Sequence, residues 1–294
     1  GDSKVNYLGS FSTFDSAYYS LLRKVLSEGA KFSPRDTKCI EIRPACFDLT
    51  QPKLSLYSGS ERRLNYRFWV VEALGYLTGR NDRSYANLLC ATNGKYREYL
   101  DEDGYLAGAY GPKIREGLQN VYLKLTADPW SRQALVSIWS PLEDLGQLNL
   151  MCTVSLHFFQ TEKGLDLHVY MRSNDLNWGT PYDIPAFCFL QTMMAAALNV
   201  PVGTYHHTAG SFHIYEENMP KVEPVYSDKP VGIREDLRFP NYVDVTWNAV
   251  LREANCYLEA LIIQFEDGQE FRNFSFKESP FSWMDSLVRF GRGK

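Results

Sequence analysis

The sequence predicts an α+β fold, with helices and strands built into a single domain over residues 1–294. Three observations carry that expectation. Leu165, Leu167, Val169 and Met171 place apolar residues on every second position, the period of a half-buried strand. Ile184 to Leu198 form an uncharged apolar run of helical length, and a helix apolar nearly all round belongs in an interior. No Pro/Gly/Ser-rich or low-complexity stretch divides the chain, and 294 residues with 45% hydrophobic content suffice for a full core.

The formal charge of −4 leaves no broad basic surface, which argues against non-specific nucleic-acid binding and leaves room only for a localised basic pocket. No apolar segment reaches membrane-spanning length, and Gly1-Asp2-Ser3-Lys4 opens no signal-peptide pattern. A cytoplasmic protein without a membrane partner is expected. The six cysteines, at 39, 46, 90, 152, 188 and 256, include no C-x-x-C pair and no histidine at zinc spacing, so neither a metal site nor a disulfide framework is expected.

Taken in order, Phe14 to Leu26 carries apolar residues at helical spacing and Gly29 supplies a stop. The turn-rich Ser33 to Lys38 leads into Cys39 to Ile42, a short alternating strand. Arg67 to Gly79 reads as a buried helix with one acid, Glu72, among apolar neighbours. A buried carboxylate is costly unless hydrogen-bonded or functional; the plainer alternative is an acid facing solvent. Asp128 to Gln133 form a turn before the strand Ala134 to Trp139. The strand ending at Met171 delivers Arg172, Ser173, Asn174 and Asp175, four polar residues that cannot all be core, although a polar turn with an Arg172–Asp175 surface ion pair would also explain them. Asp183 falls at the N-cap of the apolar helix with Pro185 in its first turn, where an ordinary capping role is open to it. Leu258 to Phe265 is either helix or strand end.

The pattern Arg172-Ser173-x-Asp175-x-x-x-Gly179-x-Pro181-x-x-Ile184, preceded by Cys152 and followed by Gly203 and then Gly210-Ser211-Phe212-His213-Ile214-Tyr215, resembles the thymidylate synthase superfamily. Three departures point to one branch. Cys152-Thr153 replaces the family's Cys-His, Gly-Ser-Phe-His replaces Gly-Asp-x-His, and Asp183 stands where the synthases carry asparagine. With Met151-Cys152-Thr153 and Met171 to Asp175, the chain looks like the deoxycytidylate hydroxymethylases.

The resemblance implies a large mixed sheet with packed helices and a sheet-to-sheet homodimer. It implies Cys152 as nucleophile, Glu72 as organiser of proton transfer, and Tyr110, in a segment matching the synthases' L-G-x-x-Y-G, as a further catalytic residue. Arg35, unless its segment is a plain surface loop, would hold the nucleotide phosphate with Arg172 and Ser173, and Arg132 of the turn would cross the dimer interface to the partner's phosphate site, unless it is a plain surface turn. Gln133 replaces a second family arginine there. Asp175 belongs to the nucleotide-binding set, and His213 and Tyr215 match the pair that holds the sugar 3′-hydroxyl; His206 and His207 match nothing. Tyr96 and Tyr99 stand near the places of two wall-forming tryptophans, and the sequence closes at Arg289 to Lys294 without the synthases' apolar tail, so water access and folate closure are expected to differ.

Attack of a thiolate on C6 of a pyrimidine makes C5 nucleophilic enough to accept one carbon. Arg172 beside Cys152 would favour the thiolate, whereas Cys188 on the apolar helix reads as an inert core thiol. Cytosine offers a donor at N4 and an acceptor at N3, which a carboxyl at Asp183 answers better than an amide does. Together with this base preference, the resemblance implies transfer of a one-carbon unit from 5,10-methylenetetrahydrofolate to C5 of dCMP or CMP, with hydration to the 5-hydroxymethyl product. Alternatives are C5 methylation of dCMP or dUMP, and a catalytically inactive nucleotide- or RNA-binding regulator.

Overall fold

The computed structural model describes residues 6–52, 56–59, 61–106, 110–140, 151–227 and 245–291. Two sheets organise these residues. The larger has six strands in the order β1 (Asn6–Phe11), β4 (Ala45–Leu49), β9 (Val202–Ala209), β7 (Gly164–Met171), β6 (Thr153–Thr161) and β5 (Leu135–Ser137). It is mixed: β1 runs parallel to β4 and β7 parallel to β9, while the other pairs are antiparallel. The smaller sheet runs β2 (Ala30–Phe32), β3 (Cys39–Ile42), β10 (Phe212–Tyr215) and β8 (Asn174–Asp175).

Helix α1 (Phe14–Glu28) starts at Thr13, whose hydroxyl accepts from the amide of Ser16 while the Ser16 side chain reaches back to the cap, and it stops at Gly29. Helices α2 (Tyr66–Thr78), α3 (Arg83–Thr92) and α4 (Tyr110–Ala127) follow. The apolar run near the middle of the chain becomes α5 (Thr180–Ala197), which packs on β7 and β9 and touches α1, α2 and α4. Then come α6 (Met219–Ser227), α7 (Trp247–Glu266) and α8 (Asp285–Phe290). Leu258 to Phe265 is therefore helix, inside α7, whose apolar stripe at Val250, Ala254, Tyr257, Leu258, Leu261 and Ile262 is buried. Buried apolar residues from Leu8 to Val288 form one continuous cluster.

Strand β7 alternates as its sequence requires. Leu165, Leu167, Val169 and Met171 face the α5 side and are buried, while His168 and Tyr170 are exposed on the opposite face. Gln191 of α5 is fully buried and ties helix to sheet by donating from Nε2 to the carbonyls of Leu165 (2.9 Å) and Thr204 (3.1 Å). The opposite face of the larger sheet carries Tyr7, Asp48, Asp166, His168, Tyr170 and His206 with no described helix packed over them. Among the described residues no helix is long and apolar enough to cross a membrane. Of the segments singled out from sequence, residues 1–4, 107–109, 228–244 and 292–294 lie outside the described residues.

Candidate active site

Cys152 stands just before β6, and three neighbours fix its position. Its amide donates to the Tyr110 hydroxyl at 2.8 Å, its carbonyl accepts from the Arg172 amide at 2.8 Å, and Arg172 Nε donates to the Met151 carbonyl at 2.8 Å. The guanidinium Nη2 of Arg172 then lies 3.9 Å from Cys152 Sγ. Pairing of β6 with β7 causes this closeness, because Thr153 and Met171 face each other in register. Burial raises the Cys152 thiol above its ordinary value; Arg172 and Arg35 pull it down, and Asp183 and Asp175 push it up. Arg172 therefore acts in the expected direction but does not by itself outweigh burial, which favours the thiol over the thiolate.

Glu72 does not face solvent. It is 4% exposed in α2, and Tyr96 donates to its Oε2 at 2.5 Å. Burial raises its pKa to about 7, against the lowering effect of the Tyr96 and Tyr76 hydroxyls. Tyr99, by contrast, is exposed, so of the two tyrosines expected near the base only Tyr96 reaches the acid.

Asp183 is not a helix cap. The helix begins a turn earlier: Gly179 is the N-cap, Pro181 lies in the first turn, and Asp183 donates its own amide to the Gly179 carbonyl at 2.9 Å. Thr180 reinforces this start by donating its hydroxyl to the Asp175 carbonyl at 3.1 Å. The carboxyl of Asp183, freed from capping, accepts from Asn174 Nδ2 at 3.4 Å. Burial, then Glu72, then Asp175 raise its pKa well above the usual carboxylate range. A Cβ on Gly179 would meet Asp183 Oδ2 at 2.9 Å and Asn174 Nδ2 at 3.3 Å, so this glycine is required by close approach.

The four polar residues after β7 divide by depth. Arg172 is exposed, Ser173 and Asp175 are half-buried, and Asn174 is core. Asp175 is no surface partner of Arg172; its Oδ1 accepts from the amides of Asn177 (2.7 Å) and Trp178 (3.3 Å), shaping the turn into α5. Across the smaller sheet His213 pairs with both Asp175 and Glu41, and its ring meets Tyr215 edge-on at 5.0 Å. Burial lowers the His213 pKa, which keeps the ring neutral. Ser211 links its Nδ1, at 3.1 Å, to the buried carboxylate of Glu41, which also pairs with Arg43. Sequence reasoning passed over Glu41; an acid inside the apolar alternation of Cys39 to Ile42 was the available signal.

Arg35 lies in a short 3-10 turn (Pro34–Asp36) with left-handed backbone at φ 51°, a costly conformation for a non-glycine residue, and its charge acts on both Cys152 and Tyr215. Arg132 is an expected site residue that its own chain keeps away from Cys152. Its carbonyl bonds His157 at 2.9 Å, roughly 16 Å along β6 from Cys152 at ordinary strand rise, farther than an arginine side chain spans. A surface hollow lined by Gly79, Asn81, Arg115, Glu116 and Leu251 includes none of these side chains. Among the described residues no group of three or more His, Cys, Asp or Glu side chains is placed to hold a metal ion.

The family described as thymidylate synthase matches residues 16–240. The chain belongs to that family. It is 32% identical over 228 residues to the deoxyuridylate hydroxymethyltransferase of Bacillus phage SP01, an alignment covering 71% of this chain and 59% of that protein. The chain thus spans rather more than half the length of this curated relative. Its backbone superposes on thermostable thymidylate synthase A from Bacillus subtilis with a TM-score of 0.64, at 19% identity over 76% of this chain and 87% of that one. The thymidylate synthase-like fold, a large mixed sheet with packed helices, is therefore shown.

Proposed function

We propose that this chain is a pyrimidine-nucleotide C5 hydroxymethyltransferase of the thymidylate synthase family, acting on deoxycytidylate or cytidylate with 5,10-methylenetetrahydrofolate as the one-carbon donor. The observation that carries the base assignment is Asp183: a buried carboxyl pushed toward its neutral form by burial and by Glu72, not used as the helix cap, and close enough to Cys152 for its charge to act there. In neutral form it donates to N3 and accepts from N4 of cytosine.

Attack by the Cys152 thiolate forms the S–C6 bond and moves the C5–C6 electron pair to C5, which bonds the transferred carbon. Glu72, set near neutrality by burial, is the group suited to proton transfers at the base, including loss of the C5 proton. Loss of that proton and cleavage of the carbon–nitrogen bond release tetrahydrofolate and leave an exocyclic methylene at C5; addition of water to this carbon and departure of the thiolate from C6 complete the balance. The Tyr96 hydroxyl on Glu72 supports hydration over reduction, because it puts a polar group where the resemblance has an apolar wall. Arg172, Arg35 and Ser173 are suited to the phosphate, and His213 with Tyr215 to the sugar 3′-hydroxyl. A homodimer in which Arg132 serves the partner's phosphate accounts for the distance between Arg132 and its own Cys152.

The phage relative's name points to deoxyuridylate, so the test runs the bases side by side. Tritium release from C5-labelled dCMP, CMP and dUMP, with mass analysis of the product, is expected to favour a cytidylate and to give the hydroxymethyl nucleotide. Release from none of the three rejects the proposal. Asp183→Asn is expected to shift the kcat/KM ratio toward dUMP by roughly one to two orders of magnitude, the effect of mismatching one buried hydrogen bond. An unchanged ratio removes Asp183 as the base reader.

A further inference from the structure

Behind Asp183 runs a line of buried polar groups that the chemistry above does not use. The Tyr205 hydroxyl lies 2.9 Å from His207 Nδ1, His207 Nε2 lies 3.0 Å from Asn174 Oδ1, and Asn174 Nδ2 lies 3.4 Å from Asp183 Oδ2. Tyr205, His207 and Asn174 are each at most 1% exposed. The imidazole is held between Phe47 (centroids 5.0 Å), Phe212 (6.3 Å) and the stacked Tyr205 ring (5.9 Å). Aromatic packing on these sides leaves hydrogen-bond direction as the ring's remaining freedom.

The direction follows from donor and acceptor chemistry. Asn174 Oδ1 only accepts, so the imidazole carries its hydrogen on Nε2. Burial lowers the His207 pKa to about 3, so the ring is neutral, has a single N–H, and must accept at Nδ1 from the Tyr205 hydroxyl. The same amide placement turns Asn174 Nδ2 toward Asp183, whose Oδ2 accepts, so the two hydrogen bonds of the amide are mutually consistent. In a neutral carboxyl the carbonyl oxygen is the stronger acceptor, so acceptance at Oδ2 favours the proton on Oδ1.

We propose that the relay Tyr205–His207–Asn174 fixes which oxygen of Asp183 carries the proton, and so sets the donor–acceptor order that the carboxyl shows to the pyrimidine. This rests on the reading of Asp183 as base reader. The relay answers a problem that such a reader creates. A neutral carboxyl is a donor and an acceptor side by side, so it pairs with N3 and N4 of cytosine in one tautomer and with N3–H and O4 of uracil in the other. An acid free to move its proton between its oxygens would discriminate weakly. One with a pinned proton matches a single edge and leaves the other mismatched. Tyr205, His207 and Asn174 are positioning residues in this scheme, acting through Asp183.

Two variants test it, each measured by tritium release with dCMP and dUMP. Tyr205→Phe keeps the ring and removes only the hydroxyl that sets the imidazole tautomer. His207→Phe keeps an aromatic ring in the packed slot and releases the Asn174 amide to turn over, which would bring Oδ1 to Asp183 and reverse its proton. The kcat/KM ratio of the two substrates is expected to move toward one, by about threefold or more in Tyr205→Phe and about tenfold in His207→Phe. A general packing defect would lower both substrates together and leave the ratio in place. Ratios unchanged in these variants, while Asp183→Asn changes it, overturn the relay and leave the base reader standing. A ratio unchanged in Asp183→Asn as well overturns both. Should His207→Phe fail to fold, Tyr205→Phe decides alone, since it preserves the ring packing.

Discussion

Glu72 and Cys152, to which the proposed mechanism gives the proton and electron-pair chemistry, both lie where burial shifts them upward. For Glu72 the consequence reaches stability. Its folded-state pKa of about 7 exceeds the ordinary 4.5, so the stability it contributes is complete below about 4.5 and is lost as the pH rises through about 7. Glu72→Gln, which imitates the neutral acid, is expected to match wild-type stability near pH 5 and to exceed it at pH 8 by at most about 3 kcal/mol. Paired thermal melts at the two pH values check this, and a gain that is equal at both would contradict it. The same variant is expected to lower kcat by about 10²-fold or more, the usual worth of a positioned acid–base group. Cys152→Ser is expected to abolish tritium release while nucleotide still binds, because binding is assigned to other side chains. Residual release at wild-type rate would remove Cys152 as nucleophile.

At the scale of elements, α5 is the part on which the site's geometry depends. It carries Asp183 in its first turns, and Gln191 two turns later clamps it to β7 and β9. Gln191→Leu would leave the carbonyls of Leu165 and Thr204 without this donor in the interior, at a cost of about 1–3 kcal/mol. Denaturant unfolding is the measurement, and kcat is expected to change little, since the clamp touches no group near the base. Gly179→Ala acts at the other end of the same element. Its methyl would press on Asp183 Oδ2 and the Asp175 carbonyl, so turnover is expected to fall more than stability. A variant with normal kcat/KM would show that the approach at Gly179 is looser than its contacts indicate.

At the scale of the whole molecule, the face of the larger sheet with Tyr170, His168 and Tyr7 has no described layer over it, and Arg132 is remote from its own cysteine. A second copy of the chain on that face would answer both facts. Sedimentation is expected to give a dimer, and Tyr170→Asp is expected to weaken it. Subunit mixing tests the shared site directly. Arg132→Ala and Cys152→Ser are each expected to be impaired alone. Mixed one to one, they should regain about a quarter of wild-type activity, because half the dimers are hybrids and each hybrid rebuilds one complete site. Absence of any recovery from a mixture shown to contain hybrids would return Arg132 to a surface turn.

The sequence by itself determined the elements whose signal is local. Alternation at Leu165 to Met171 and the uncharged run after Asp183 record burial on one side or on all sides, and burial is written in the residues that undergo it. The ordered pattern from Cys152 through Tyr215 likewise identified the family and its residue types in one dimension. Local reading misplaced the start of α5, because Asp183 is a good cap residue and the competing start at Gly179 is favoured by contacts back to the Asp175 turn. Where side chains meet across strands, only the tertiary structure decided. His207 and Asn174 lie 33 positions apart and Ser211 and Glu41 lie 170 apart, and neither pair has a periodicity to betray it. Thiol titration belongs to the same class. Arg172 was visible beside Cys152 in the motif, but the burial that outweighs it comes from chain folded around the site, and desolvation is a property of the whole enclosure that no short stretch of residues records.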